Sequence, residues 1–508
     1  MYDFWLKSLC CYKKKLYLCT AFQTYRDMAL IVGRKEEQRQ LNELYESGKA
    51  EFLAVYGRRR VGKTFLIRET LRDKITFSHT GLSIYEDGKP VTTEDQLRHF
   101  YHSLQIYGSD AEHCPKTWME AMYMLEELLE KLDDGERQVV FIDELPWLDT
   151  DGARIIMAVD AFWNSWAAGR DNMMLIVCGS AASWMLKNVV KEKGGLFNRL
   201  TDDMKISPFN LHDSEEFLHS KGVGLNRYDL VQAYMAVGGI PYYLNFFRKG
   251  ISLAQNIDAL FFDKKAKLRL EFSKLFTSLF RYPENYVKVI RFLFSKRCGY
   301  TRDDIAKHLG IDTGGTLSAV LEALEESDFI LSYRPYDAQP YEKLYRLIDP
   351  FCLMWLYWKE RECVNDAQFW QHNVNSTTLY RWGGVAFEEV CLMHIEQIKQ
   401  ALNIRAVQTE QSPLTLRGTA DHDGIQCDLI ISRADRVVNL CEMKYCQEEY
   451  VIDKQYDMTL RNRLSYVREG LKKTQNLQLT FATTFGVKQN MYSGIVQSEV
   501  TLEDLFRS

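Results

Sequence analysis

LAVYGRRRVGKT, residues 53–64, joins a short apolar run to a glycine loop, and Phe65, Leu66 and Ile67 continue it as a helix. Leu53, Ala54, Val55 and Tyr56 predict a buried strand. GRRRVGKT satisfies G-x-x-x-x-G-K-[ST] without a mismatch, and strand, loop and helix in that order are the context the motif needs. Gly57 is expected to make the sharp turn and Gly62 to let the backbone come close. The amides around Gly62, Lys63 and Thr64 then converge on a phosphate at a positive helix end. Lys63 is predicted to reach the β- and γ-phosphates of ATP and Thr64 to ligate magnesium. Arg58, Arg59, Arg60 and Val61 complete the loop. For the three arginines two readings stay open: solvated loop positions, or contacts to an acidic face elsewhere in the chain.

The surrounding chain sets the frame. Its 508 residues suit roughly three domains of ~150 residues each. Apolar content of 46% with net charge -5 describes an ordinary globular protein, so a nucleic-acid surface has to be a local patch. No run approaches the ~20 apolar residues of a membrane span. The 12 cysteines are scattered, without C-x-x-C spacing near histidines, which predicts a reduced, cytoplasmic chain with no zinc site. Residues 1–27 carry five basic and two acidic side chains and no regular period, and Met28 precedes the first regular pattern. They are expected to be a disordered arm or an over-extended reading frame.

From Ile31 strands and helices alternate, which predicts an α/β fold with a parallel sheet covered on both faces. Ile75 to Ser78 is a strand candidate. Helices are expected over Lys35–Ser47, Glu94–Tyr107 and Lys116–Leu132, the last with the stripe Met119, Met122, Leu125, Leu128, Leu129 and Leu132. In QVVFIDELPWLD (138–149) the strand Val139–Ile142 ends in Asp143 and Glu144. Its end is expected beside the phosphate loop, with Asp143 on the metal's water shell and Glu144 orienting the attacking water. MLIVCGSAASWM (174–185) adds a strand ending in Gly179-Ser180. Ser180 either senses the γ-phosphate or the attacking water, or is a satisfied turn hydroxyl.

The series VGRKEE, GRRRVGKT, FIDELPWL, CGSAASWM, GGLFNRLTDDMKISPF and GGIPYYL, from about Ile31 to Phe262, resembles the archaeal-type ATPase family among AAA+ and STAND relatives. The resemblance implies an ATPase core (28–210) followed by a helical lid (211–283). It also implies that Arg199 is an arginine finger completing a neighbouring subunit's site, so that an oligomer forms through it. A surface arginine in a structural salt bridge is the other reading. Gly238, Gly239 and Pro241 break one helix and start another, in a packing or hinge role.

Residues 284–360 read as a winged helix. TRDDIAKHLGI (301–311) has Thr301 as cap with Asp304 three residues on, residues 313–330 supply a second helix, and FILSYRP with KLYRLIDP makes the wing. A DNA reader needs base-contacting side chains near the start of the second helix. Only Thr313, Thr316 and Ser318 stand there, and Glu322, Glu325 and Glu326 follow. A protein-interaction or structural role is the better match.

After a linker (361–382), a last domain (383–508) opens with a helix carrying Glu388 and Glu389. IQCDLIISRADRVVNLCEMKYC (425–446) predicts a hairpin turning at Arg433–Asp435, with Asp428 nearly opposite Glu442 and Lys444 on the same face as Glu442. Carboxylates that hold a divalent metal and a lysine that positions water are what metal-dependent phosphodiester hydrolysis needs. Glu388, Asp428, Glu442 and Lys444 resemble the motif positions of the PD-(D/E)XK nuclease superfamily, with Cys427 where the name places proline. The whole chain is therefore expected to be a magnesium-dependent ATPase coupled to a nuclease-like domain that acts on or near DNA or RNA. The alternative is a nucleotide-dependent interaction switch whose nuclease-like domain is inactive.

Overall fold

The computed structural model describes residues 31–83, 85–86, 89–191, 196–280, 282–311, 314–336, 343–359, 366–416 and 425–508. The extension 1–27, Thr313 and part of the linker at 361–365 lie outside these residues.

Five strands form the first sheet: β1 (Glu51–Tyr56), β2 (Ile75–Thr80), β3 (Gln138–Asp143), β4 (Met173–Gly179) and β5 (Asp202–Lys205), in the order β2-β3-β4-β1-β5 and parallel throughout. Strands β1, β3 and β4 are buried along their whole length, the pattern of a sheet covered on both faces. Alternation along β1 divides the core. Leu53 and Val55 enter one apolar cluster, and Phe52, Ala54 and Tyr56 the other. The second face is closed by helices Thr93–Ile106, Trp118–Lys131 and Ile155–Ser165. The stripe of the middle helix is led by buried Trp118 where the sequence suggested Met119. The first face has no boundary at the end of the sheet. Its cluster runs on through Tyr234, Phe272, Phe329 and Phe351 to Phe387.

Helices Leu211–Ser220, Arg227–Val237, Pro241–Leu244, Leu253–Ile257 and Glu271–Leu279 follow the sheet. Gly239 is a packing position: a Cβ there would lie 1.7 Å from the Phe209 carbonyl oxygen, because the Phe209 amide donates to the Gly239 carbonyl at 2.7 Å.

Strands β6 (Tyr300–Thr301), β7 (Ile330–Tyr333) and β8 (Leu344–Leu347) make an antiparallel sheet, order β6-β8-β7, beside helices Arg302–Leu309 and Gly315–Glu326. Thr301 and Asp304 form the reciprocal cap that their spacing predicts. The second helix leans towards the first sheet, where Lys191 pairs with Glu322 at 2.6 Å; just past its end, Lys205 pairs with Asp328 at 2.8 Å.

The last sheet runs in sequence order: β9 (Thr409–Leu416), β10 (Ile425–Arg433), β11 (Val437–Lys444), β12 (Asn476–Thr483) and β13 (Ser498–Thr501). The first three are antiparallel, and β11, β12 and β13 are parallel, with helix Lys454–Gly470 crossing between β11 and β12. Leu429 faces Cys441, so the ladder brings Asp428 towards Glu442 as the hairpin reading requires. Helix Thr377–Met393 starts six residues earlier than Gly383, because Ser376 caps it and its buried face continues through Leu379 and Trp382.

Candidate functional site

At the end of β1, Gly57 has φ +145° and a Cβ there would lie 2.2 Å from the Ile206 carbonyl oxygen, so only glycine fits the turn. Gly62 precedes the helix Lys63–Thr70. Lys63 is 5% exposed, and its ammonium donates to the carbonyls of Gly57 at 2.8 Å and Arg58 at 3.0 Å, so it lies folded into the loop. Thr64 Oγ1 donates to Asp143 Oδ2 at 2.8 Å.

The end of β3 lies beside the loop, as the sequence leads one to expect, although β4 stands between β1 and β3. The side chains of Thr64 and Asp143 span the gap, and the inserted strand puts Ser180 at the same corner. The Ser180 amide and hydroxyl both donate to Glu144 Oε2, at 3.0 and 2.8 Å. Glu144 has φ +51°, and burial pushes its carboxyl up, with nearby Lys63 opposing the shift. Ser180 thus holds Glu144 through two hydrogen bonds.

The loop arginines divide their contacts. Arg58 is 1% exposed, pairs with Asp349 at 2.5 Å and lies over the Phe329 ring at 4.4 Å. Arg59 lies 5.6 Å from the Trp147 ring. Arg60 pairs with Glu271 and lies 4.1 Å over Tyr242, while the Tyr243 hydroxyl donates to Glu271 at 2.9 Å. Asp349 and Glu271 belong to the site's surroundings without any local sequence signal. The three consecutive arginines were the only pointer to them. Arg199 is half-exposed and pairs with Asp160 at 3.2 Å, on helix Ile155–Ser165.

The loop suits a nucleotide and magnesium: backbone amides at a helix start, a buried lysine, and a hydroxyl-carboxylate pair of the hard oxygen type that magnesium prefers. Thr64 and Asp143 are the residues that would hold the metal, and the metal would screen phosphate charge.

The C-terminal carboxylates lie together but are differently engaged. Glu442 is 1% exposed; Lys444 Nζ at 3.0 Å and the Tyr456 hydroxyl at 2.7 Å donate to one oxygen, and Arg463 Nη1 at 2.5 Å to the other. Burial opposes its ionisation, but Lys444 and Arg463 outweigh that and hold its carboxyl below the ordinary range. Asp428 accepts from the Met443 amide at 3.0 Å, and burial with Glu442 beside it pushes its carboxyl up. Glu388 pairs with Arg297 at 3.3 Å, and burial and neighbouring Asp428 push it up to about 7. Glu389 turns inward to a buried pair with Arg346. Tyr456 and Arg463 sit on the crossover helix, outside the hairpin that flagged the cluster.

Among the described residues no group of three or more His, Cys, Asp or Glu side chains is arranged to hold a metal ion. Both Glu442 oxygens already accept hydrogen bonds, Oε2 from Lys444 and Tyr456 and Oε1 from Arg463. Among the same residues no helix is long and apolar enough to cross a membrane.

Residues 31–247 match the family described as an ATPase domain predominantly from Archaea. An uncharacterized protein of Methanocaldococcus jannaschii is 25% identical over 306 residues, 60% of this chain and 63% of that protein. The chain therefore spans less than two thirds of that relative's length. An uncharacterized ATP-binding protein of the same organism is 45% identical over 47 residues, 9% of this chain and 80% of its own. A Walker-type ATPase of Pyrococcus abyssi is similar in structure with a TM-score of 0.45 and 21% identity, over 64% of this chain and 96% of that one. With the phosphate loop, the parallel sheet and the Thr64–Asp143 pair in place, the chain carries, over residues 31–247, an ATPase domain of the archaeal type.

Proposed function

We propose that this protein is a nucleotide-dependent interaction switch: a magnesium-dependent ATPase whose nuclease-like C-terminal domain binds a partner. The observation that carries the reading is the contrast in charge. The phosphate loop opens helix Lys63–Thr70, whose first amides have no intrahelical acceptor and suit an anion, whereas Glu442 already faces the cations of Lys444 and Arg463. Lys63 holds phosphate, Thr64 and Asp143 hold magnesium, and Glu144, released from Ser180, accepts a proton from the attacking water. Residues 28–210 are the ATPase core, 211–283 the lid, 284–360 a winged helix and 383–508 a PD-(D/E)XK-like fold in the cytoplasm. The winged helix serves packing: its second helix and the turn after it carry acids that meet Lys191 and Lys205 of the core, which takes that face away from a DNA groove. Arg199 is available to a neighbouring subunit once it leaves Asp160.

A second reading, metal-dependent cleavage of DNA or RNA, draws on the crowding of Glu388, Asp428 and Glu442. The second metal then requires that Glu442 swing away from its cations. Incubation with single- and double-stranded DNA and RNA in manganese, with and without ATP and with Glu442→Ala as control, separates the two. No cleavage under any condition, with ATP hydrolysis intact, supports the switch; cleavage that Glu442→Ala abolishes overturns it. Absence of ATP hydrolysis that depends on Lys63 overturns the ATPase assignment itself.

A further inference from the structure

We propose that residues 346–349 are a strut shared by the two polar clusters, with Asp349 positioning the phosphate loop and Arg346 positioning the helix that bears Glu388. The inference rests on the ATPase reading above and adds a route by which the loop's state reaches the C-terminal domain.

Two ion pairs carry it, and all four partners are buried: Arg58 and Asp349 are each 1% exposed, Arg346 is 4% and Glu389 3%. Arg58 pairs with Asp349 at one end, and Arg346 Nε donates to Glu389 Oε1 at 3.0 Å at the other. Asp349 lies three positions after Arg346, a span of at most ~10 Å of chain. The segment has little freedom, because the amides of Ile348 and Asp349 both donate to the Phe329 carbonyl, at 3.0 and 3.2 Å, and Phe329 is the ring beneath Arg58. Asp349 also caps helix Pro350–Trp358 through the Cys352 amide at 2.7 Å. That helix packs against both the lid helix Arg227–Val237 and helix Thr377–Met393.

A buried charge that loses its partner is costly, so neither pair can open unless something replaces it. Arg58 has Nε and Nη2 without a partner, and Glu389 has Oε2 likewise, so each pair is only partly satisfied and has a group left to recruit a new contact. A phosphate entering the loop attracts the Lys63 ammonium away from the Arg58 carbonyl to which it donates at 3.0 Å. A shift of Arg58 pulls on Asp349 and, through the stitched segment, on Arg346 and Glu389, next to Glu388. Linkage then requires the reverse effect: a partner that moves helix Thr377–Met393 changes ATP affinity by the same factor.

The test uses the full-length protein, with steady-state ATPase kinetics and hydrogen exchange of residues 385–393 measured with and without ATP. Asp349→Asn keeps the helix cap but removes the charge, and it is expected to raise KM for ATP at least five-fold while kcat changes less than two-fold. Arg58→Met with Asp349→Asn removes both charges and covers the case in which the single variant misfolds; it is expected to show the same split. Arg346→Gln with Glu389→Gln is expected to leave KM and kcat within two-fold yet remove at least half of the ATP-dependent change in exchange. If the Asp349 variants hydrolyse ATP with unaltered KM, or if the Arg346/Glu389 variant keeps the full exchange response, the strut is overturned while the ATPase reading stands. A wild type without ATP turnover overturns the ATPase reading itself.

Discussion

At the phosphate loop, Gly57 to Thr64 are consecutive in the chain and the groups facing a nucleotide are largely backbone amides. At the C-terminal cluster, Glu388, Asp428 and Glu442 come from one helix and two strands, and most of the interacting groups are side chains. The consequence lies in how each site meets its own charge. The loop cannot neutralise its own amides, so it stays poised for an anion. The cluster can recruit cations from neighbouring elements, and Lys444 and Arg463 close on Glu442. A site made of backbone keeps its chemistry by geometry; a site made of side chains keeps it only if its surroundings leave it unpaired.

The largest expected effect probes the first half of that contrast. Lys63→Ala is expected to lower ATP turnover about 10²–10³-fold, the scale of one lost electrostatic stabiliser, while thermal stability hardly moves. A loss below ten-fold, measured by phosphate release, would mean that the loop amides suffice.

Next comes the seam between the two regions. His394 accepts from the Leu211 amide at 3.0 Å, and burial pushes its pKa down to about 4, so it is neutral when folded. The unfolded chain binds the extra proton first, so this group's stability is complete above the ordinary histidine pKa and is lost as pH falls towards 4. The loss is on the order of 2–3 kcal/mol across that window. Buried His79, pushed down to about 3, acts in the same direction. His394→Gln should flatten the slope of Tm against pH between 6.5 and 4; an unchanged slope would place the acid sensitivity elsewhere.

Glu442→Ala sharpens the second half. It strands Lys444 and Arg463, whose side chains are each 25% exposed, so the cost is about 1–3 kcal/mol rather than the full penalty of a wholly buried pair. Denaturant unfolding should show it, with ATP turnover within two-fold of wild type. A variant more stable than wild type would reveal Glu442 as a strained site held for a ligand.

Smallest is Arg199→Ala, which breaks a half-exposed pair and should change stability by under ~1 kcal/mol and dilute-protein turnover less than two-fold. Turnover that rises with protein concentration in the wild type, and not in the variant, would give Arg199 to a neighbour's site.

Much of the first site was legible in the chain because its signals are local. GRRRVGKT is one short stretch, the strand before it is a plain apolar run, and Asp143 and Glu144 end another. What the local signals could not show was the insertion of β4 between β1 and β3, since strand order is a property of pairing and not of any one strand. The hairpin around Arg433–Asp435 was equally readable from alternation, and the register of Leu429 with Cys441 follows from it. Tyr456 and Arg463 were not, because a helix periodicity says which face is buried and not which carboxylate waits beneath it.

By itself the sequence determined the phosphate loop and the strands and helices around it, since strand and helix patterns, glycine turns and caps are written within a few residues of one another. Only the tertiary structure decided where the charges go. Arg58 and Asp349 are 291 residues apart, and Arg346 and Glu389 are 43 apart, and nothing local announces either pair. Buried charges must find partners wherever folding brings them, so their pairing is settled last, by the packing of whole elements rather than by the residues beside them.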